Sequence, residues 1–188
     1  MRRQKTSFTL SCNKWVHYDN PKRRAMYGYP GRASSSTVKP NIHGDKIMLC
    51  IWWDQLEVVY YELVQRNESM TGEVCRRQLM CLSRALREKR LQYANRHDKV
   101  IFQHDNARPH AAACFETYLE MLKWEVLPHP PYSSDIASFD YYLFRSMQHG
   151  LADQQFSNYD EVKKWNDEWI AAKERAFFHD GIRQLPER

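Results

Sequence analysis

The chain has 188 residues, of which 43% are apolar, and a formal net charge of +5. This length fits one domain with a sizeable core, and this composition excludes an intrinsically disordered chain. No apolar run approaches the roughly 18 residues of a membrane span, and the basic start precedes too short an apolar stretch for a secretory signal. The positive charge is compatible with a polyanionic partner but does not establish one.

The five cysteines are odd in number and include no C-x-x-C pair. They lie within apolar stretches, which favours reduced, buried thiols in an intracellular protein.

The first quarter of the chain predicts two short strands, Phe8–Leu10 and Trp15–Tyr18, followed by a long loop. Residues 19–46 are rich in Pro, Gly, Ser and basic side chains and have no sustained period. A loop of this length inside a domain is usually functional or disordered.

The next segment predicts a β-hairpin and a helix. Ile47–Trp53 and Val58–Val64 are rich in β-branched and aromatic residues, and four residues separate them. Glu57 lies in the turn, where a glycine is expected. Thr71–Asn95 has one apolar face and basic residues on the others, which indicates a helix.

Strands and helices alternate in the second half. Val100–Gln103 and Glu125–Leu127 read as strands, and a helix with Pro109 near its first turn lies between them. Four apolar residues share one face of this helix: Phe115, Tyr118, Leu119 and Leu122. The last helix, Ser157–Gly181, has a capping-box-like start at Ser157 and Asp160 and a closing glycine. This order of elements predicts an α/β fold, a mixed sheet flanked by helices.

Two carboxylates carry the candidate chemistry. Asp105 ends a predicted strand in HDNARPH, and Asp140 follows after 34 residues in PPYSSDIASFDYYLF. Carboxylates at a strand end and a helix start can meet at one sheet edge and hold two divalent cations about 4 Å apart. A lone Asp at a strand end is more often a helix cap, so the pattern alone leaves both interpretations open.

The strings around these acids resemble the mariner transposases. So do HYDNPKRR, KPNIHG, MLCIWWDQ, LKWEVLPHPPYS and GIRQLPER, at consistent spacing over almost everything after Thr9. The resemblance implies an RNase H-like fold with a mixed five-stranded sheet, and a three-acid site that binds Mg²⁺ or Mn²⁺. It also implies DNA cleavage at transposon ends and strand transfer, hence DNA as partner and the nucleus as location.

The resemblance assigns roles to individual residues. Asp105 and Asp140 correspond to the second and third catalytic acids, while His104, Asn106 and His110 are expected at the rim of the active site.

The loop of residues 19–46 is similar to the clamp loop with which the family's subunits pair. Its basic run, Lys22, Arg23 and Arg24, is assigned to this clamp or to DNA, although a merely solvated surface is an equal alternative. The implied partners are non-specific DNA and a second copy or a full-length transposase.

The first acid has no counterpart. The family reads T-C-D-E-K-W on the first strand, whereas Ser11–Trp15 is one residue short and contains no acid. Asn13 is the nearest equivalent, and a neutral amide neutralises no metal charge, so metal binding is expected to be weak. The nearest other acids, Asp19 and Asp54, are not expected to fill the position.

Other departures predict a decayed or truncated copy. Glu57 replaces the family's turn glycine, and Ser134, Ser138 and Phe139 replace proline, proline and serine ahead of Asp140. The helix-turn-helix region that precedes the catalytic part in the family is absent from the sequence, which is therefore expected to be a single catalytic domain.

Three functional hypotheses follow: an active nuclease and strand transferase, a catalytically dead module that binds DNA or pairs with a transposase, and a relic without function. A zinc site of His104, His110 and His129 is disfavoured because no paired cysteines accompany them. Four tryptophans suit either base stacking or the core, and the core is favoured: Trp52, Trp53, Trp165 and Trp169.

Overall fold

One mixed sheet with helices on both faces forms the centre of the molecule. The computed structural model describes residues 6–21, 44–65, 68–90, 100–104, 112–127 and 138–183, with the backbone alone for 6–13 and 138–141. The strands are β1 (Thr6–His17), β2 (Lys46–Trp53), β3 (Val58–Val64), β4 (Val100–Gln103) and β5 (Glu125–Leu127). The helices are α1 (Gly72–Lys89), α2 (Ala113–Leu122), α3 (Ser138–Leu151), α4 (Tyr159–Ala171) and α5 (Arg175–Arg183).

The strands follow the order β3-β2-β1-β4-β5. β2 is antiparallel to β1 and β3, whereas β4 is parallel to β1 and β5. The predicted α/β class is therefore confirmed. Among the described residues, no helix combines the length and apolar composition that a membrane crossing requires.

Side chains of β2 alternate between two apolar cores. Cys50 and Trp52 pack with α1 and α2, while Leu49, Ile51 and Trp53 pack with α3, α4 and α5. Because successive side chains of a strand point to opposite faces, helices on both faces bury β2 almost completely. Three of the four tryptophans are buried, as predicted for core residues, and Trp165 is partly buried.

The β2–β3 turn needs no glycine. The carboxylate of Asp54 accepts hydrogen bonds from the backbone N–H groups of Leu56 at 2.8 Å and Glu57 at 3.0 Å. Glu57 does not have a positive φ, so no residue without a Cβ is required there. Its carboxylate pairs with Arg90 at 3.0 Å. The expectation that Glu57 is a poor turn residue is wrong, because Asp54 closes the turn.

α1 begins as the sequence predicts. The Thr71 hydroxyl accepts a hydrogen bond from the Val74 N–H at 3.3 Å and caps the helix. α1 ends at Lys89, and residues 91–95 of the predicted helix lie outside the described residues. In α2, Phe115, Leu119 and Leu122 form the buried face that their spacing predicts.

The predicted helix Ser157–Gly181 is wrong in two respects. It is divided into α4 and α5, because a turn after Ala171 allows Phe178 to reach the core, where it is 1% exposed. Its cap also lies one residue later than predicted. The Asn158 side chain accepts a hydrogen bond from the Glu161 N–H at 2.9 Å, and the Glu161 carboxylate accepts one from the Ser157 N–H at 2.7 Å.

Gly181 lies inside α5 and does not close a helix. A Cβ at this position would lie 2.7 Å from the ring of Tyr142 in α3 and 3.1 Å from that of Trp53. The glycine therefore permits close packing of α5 against the sheet and against the helix that contains Asp140.

Four of the five cysteines have described side chains, and none of these four forms a disulfide. Cys50 and Cys75 are buried, Cys81 is half-buried, and Cys114 is exposed. The expectation of buried thiols is wrong for Cys114, because it lies on the solvent side of α2.

Candidate active site

β1 is irregular at Cys12 and Asn13, the residues nearest to the position that the resemblance assigns to a first acid. Ser11 of β1 pairs with Ile51 of β2, whereas Lys14 pairs with Leu49. Two residues, Cys12 and Asn13, therefore stand opposite Cys50 alone, which is a bulge with one extra residue in β1. The two predicted strands are one strand, since the bulge interrupts the alternation by which a strand is recognised. Neither residue of the bulge is an acid.

The strand that precedes Asp105 lies beside β1. β4 runs parallel to β1, with Thr9 opposite Gln103, and His104 follows β4 directly. The His104 ring lies 5.5 Å from the ring of Phe102 and 5.4 Å from that of Phe115, so aromatic packing holds the residue just before Asp105. The following predicted site residues lie outside the described residues: Asp105, Asn106, His110, Lys22, Arg23 and Arg24.

The helix that contains Asp140 packs against β1 next to the bulge. Asp140 is the third residue of α3. One turn later, the carbonyl oxygen of Phe144 accepts a hydrogen bond from Lys14 Nζ at 3.2 Å, and the same ammonium lies 5.0 Å from the Phe144 ring centroid. Burial lowers the pKa of Lys14. The structure thus brings the neighbour of Asn13 and the first turns of α3 together.

Sequence reasoning missed Lys14. Lys14 stands in a strand, two residues before Val16, and the side chain of Val16 is 1% exposed. A long cation among buried positions indicates a specific acceptor, which here is a helix carbonyl.

Asp54 and Asp19, the nearest other acids in the sequence, have hydrogen-bond partners away from the bulge. Asp54 is fully buried and pairs with Arg90 at 2.9 Å in the β2–β3 turn. Asp19 is exposed, and its carboxylate accepts a hydrogen bond from Gln155 Nε2 at 3.3 Å. Over the described ranges, no group of three or more His, Cys, Asp or Glu side chains could hold a metal ion. The described residues therefore do not complete a three-carboxylate site.

The ends of the clamp-like loop meet. His17 of β1 is the cross-strand partner of Lys46 of β2, and the Tyr18 N–H donates to the Asp45 carbonyl at 3.0 Å. The first end is also anchored to the α3–α4 connection, where the Phe156 N–H donates to the Tyr18 carbonyl at 2.8 Å.

Backbone hydrogen bonds also join Asn20 to the α3–α4 connection. Its N–H donates to the Gln154 carbonyl at 3.1 Å, and its carbonyl accepts from the Asp153 N–H at 2.8 Å. The Asn20 side chain donates to the His17 carbonyl at 2.6 Å. The described ends of this segment are thus joined to each other and to the α3–α4 connection by backbone hydrogen bonds.

Comparison with known proteins gives the family. The model of the family Transposase (partial DDE domain) matches residues 17–96. The chain is 51% identical over 175 residues to the Mariner Mos1 transposase of Drosophila mauritiana, covering 93% of this chain and 51% of the relative. The chain belongs to the mariner transposases.

A second relative of this mariner chain is the Histone-lysine N-methyltransferase SETMAR of Homo sapiens, 32% identical over 180 residues that cover 95% of the chain and 26% of the relative. The chain spans about half the length of the Mos1 transposase and about a quarter of SETMAR.

Solved structures agree with this membership. The chain matches a pre-cleavage Mos1 transpososome with a TM-score of 0.86 at 48% identity, over 97% of this chain and 52% of that one. It matches the catalytic domain of Mos1 with a TM-score of 0.80 at 43% identity, over 97% and 78%. Mos1 paired-end complexes are known with Mn and with Mg.

Proposed function

We propose that this mariner chain is a transposase catalytic core whose metal-dependent DNA cleavage and strand transfer are impaired at one position. The observation that supports this is the bulge of β1, where neither Cys12 nor Asn13 is an acid, beside β4 and α3, which lead to the two remaining acids. An RNase H-like single domain with a five-stranded sheet is part of the proposal, and the strand order supports it.

Asp105 and Asp140 are the proposed ligands of Mg²⁺ or Mn²⁺, with His104, Asn106 and His110 at the rim. When bound, a metal pair would activate a water or 3′-hydroxyl and neutralise the leaving oxygen. Two carboxylates hold a hard divalent cation less tightly than three, because an amide at the first position removes one negative charge.

The proposed partners are DNA and a second transposase subunit. Support comes from the positive net charge and from Mos1, which has been solved as a transpososome and as a paired-end complex with a left transposon end. Lys22, Arg23 and Arg24 would contact DNA or the partner from the clamp-like loop. The affinity for DNA would be non-specific and would fall steeply with salt. Because DNA is one of the proposed partners, the proposed location is the nucleus.

A second candidate is a module without catalysis that binds DNA or pairs with a full-length transposase. The hydrogen-bonded base of the clamp-like loop favours it, since pairing needs the loop but not the acids. A relic without function is disfavoured by the two apolar cores and by the capped starts of α1 and α4.

A nicking assay on supercoiled plasmid with Mg²⁺ or Mn²⁺ separates these functions. The bulge offers two places for an acid, so Asn13→Asp and Cys12→Asp are compared with the wild type. We expect one of them to raise the nicking rate on the order of 100-fold, which corresponds to about 2.7 kcal/mol of barrier. The matched control is the same variant with Asp105→Ala, which must abolish the gain.

Each outcome decides between the candidates. Nicking by the wild type that disappears in Asp105→Ala would show that another ligand fills the first position, and the impairment would be refuted. If neither acid variant nicks, the catalytic-core proposal fails, and the non-catalytic module becomes the better account.

A further inference from the structure

A cleft lies where the two ends of the clamp-like loop meet the α3–α4 connection, at the end of β1 beyond the bulge. Its volume is about 570 Å³, which falls within the range of about 300–1,000 Å³ that is usual for ligand sites. None of its lining residues belongs to the proposed catalytic site. The lining combines aromatic and polar side chains, among them Tyr18, Asp45, Gln65, Phe156, Ser157 and Tyr159.

Three half-buried aromatic side chains line this cleft, namely Tyr18, Phe156 and Tyr159. The Tyr18 N–H donates to the Asp45 carbonyl at 3.0 Å, and the Tyr18 carbonyl accepts from the Phe156 N–H at 2.8 Å. The Phe156 ring packs edge to face on the Trp165 ring, with 6.1 Å between their centroids. The backbone of the cleft is therefore held in place before any ligand arrives. Aromatic rings arranged in this way attract cations to their electron-rich faces.

Carboxylates lie near both tyrosines of the cleft. Asp45 belongs to the lining and is exposed. Burial and the charge of Asp45 raise the pKa of Tyr18. Burial also raises the pKa of Tyr159, and so do the charges of three further carboxylates: Glu62, Asp160 and Glu68. The cleft is thus locally negative in a chain whose net charge is +5, and such a site favours a cationic ligand.

The features of the cleft that could attract an anion are already engaged. Lys46 is in the lining, but its ammonium lies 4.5 Å from the ring centroid of Trp15, which is not. The N-terminus of α4 is capped, since Asn158 Oδ1 accepts from the Glu161 N–H at 2.9 Å. The Glu161 carboxylate in turn accepts from the Ser157 N–H at 2.7 Å. A free helix N-terminus binds anions, whereas this one has an acceptor and a negative charge of its own.

We infer that this cleft binds a basic segment of another polypeptide, with a lysine or arginine side chain between the aromatic rings and the carboxylates. A free polyamine would offer the same cation, but the rest of the lining suits a peptide better. Gln65 and Ser157 are exposed at the cleft and carry N–H and O–H donors. Peptide carbonyls can accept from these donors, whereas a protonated polyamine has only donors. This binding requires neither metal nor DNA.

The test is binding of a fluorescein-labelled tetralysine peptide with a blocked C-terminus, measured by anisotropy on the whole chain. Tyr159→Leu removes the ring and keeps an apolar side chain, whereas Tyr159→Phe removes only the hydroxyl. Asp45→Asn removes one charge from the lining. Asp180→Asn is its matched control, because Asp180 is also exposed but stands on α5, which does not line the cleft. Thermal melts establish that all four variants are folded.

We expect Tyr159→Leu to weaken binding about fivefold, because a cation–π contact is lost. Asp45→Asn should weaken it about threefold, since an exposed ion pair contributes less. Tyr159→Phe and Asp180→Asn should leave the affinity unchanged. Spermine, which carries as many positive charges as the peptide, should displace the label only at a much higher concentration than unlabelled tetralysine does.

Four outcomes would overturn the inference. The wild type would not bind the peptide, or Asp45→Asn and Asp180→Asn would lose affinity equally, so that total charge alone explained the binding. Tyr159→Phe would lose as much as Tyr159→Leu, which would exclude the ring as the contact. Spermine would displace the label as readily as tetralysine, which would exclude a polypeptide as the preferred ligand.

Discussion

Two of the places where this chain departs from the mariner sequence pattern are the β2–β3 turn and the bulge of β1. In the turn, Glu57 pairs with Arg90 at 3.0 Å and with Lys89 at 3.5 Å. At the bulge, neither Cys12 nor Asn13 is an acid, and we propose that a metal ligand is missing there. A turn accepts any side chain that finds a partner within reach. A metal site requires negative charge at a defined point, and neighbouring residues cannot supply it from elsewhere.

The β2–β3 turn also makes side-chain hydrogen bonds to α1 that its sequence does not predict. Arg90 donates to both Asp54 and Glu57, which ties the end of α1 to the β2–β3 hairpin. Burial lowers the pKa of Arg90, but hydrogen bonds and charges of the two carboxylates outweigh this and raise it. The buried carboxylate of Asp54 is thus fully used by the fold.

The largest expected effect tests this closed network. Asp54→Ala would leave Arg90 without its buried partner and two turn N–H groups without an acceptor. We expect the free energy of unfolding to fall by about 3–5 kcal/mol, measured by urea unfolding. Asp19→Ala, which removes an exposed acid, should change it by less than about 0.5 kcal/mol. A loss below about 1 kcal/mol for Asp54→Ala would show that the turn is not compensated as described.

The second effect concerns the bulge. Asn13→Asp should make stability depend on Mn²⁺, because a site with three carboxylates binds the ion mainly in the folded state. At a concentration a hundred times the dissociation constant, the gain over EDTA is about 2.7 kcal/mol.

Two controls accompany this measurement. The wild type should gain much less from Mn²⁺, and adding Asp140→Ala should reduce the gain. Equal stabilisation of the wild type and Asn13→Asp would contradict the vacancy of the first position.

The smallest expected effect tests whether Glu57 destabilises the β2–β3 turn. If it is compensated, Glu57→Gly should lower the free energy of unfolding by about 0.5–1 kcal/mol, because the ion pairs are half-exposed and partly screened. If the turn needed a glycine, the same change would stabilise the protein. Urea unfolding of the wild type and of Glu57→Gly distinguishes the two cases, because the free energy of unfolding falls in the first and rises in the second.

The pH dependence of Glu57 gives a second readout. Burial raises the pKa of Glu57, but the bonds and charges of Arg90 and Lys89 prevail and lower it below 4.5. A lowered folded pKa contributes stability above the unfolded value that is lost as pH falls through the folded value. The difference between wild type and Glu57→Gln should therefore be fully present near about pH 7 and shrink as the pH falls through the folded pKa of Glu57. A difference that persists in acid would contradict this.

Local patterns predicted the regular elements. The hairpin of β2 and β3, the start of α1 and the buried face of α2 follow from residue type and spacing alone. The division of α4 from α5 does not, because no glycine or proline marks it. Phe177 and Phe178 are adjacent, and burying Phe178 while Phe177 packs on Trp169 at 6.2 Å requires the chain to turn. The turn between α4 and α5 is therefore required by tertiary packing, and the spacing of apolar residues along one helix carries no information on such packing.

The candidate site was predictable only in part. The strings around Asp105 and Asp140 identify the family, whereas the roles of these two residues as its acids stay a prediction. The absence of an acid in Ser11–Lys14 is visible in the sequence. The bulge is not, since it is a property of the pairing of β1 with β2. The contact of Lys14 with Phe144 is equally hidden, because 130 residues separate the two.

The pairing of His17 with Lys46 has a consequence for how such a chain can change. Everything between these partners is an insertion within a hairpin whose base is already closed by backbone hydrogen bonds. The entropy of closing such a segment grows only with the logarithm of its length. The segment can therefore lengthen, shorten or be exchanged between relatives at little thermodynamic cost to the sheet.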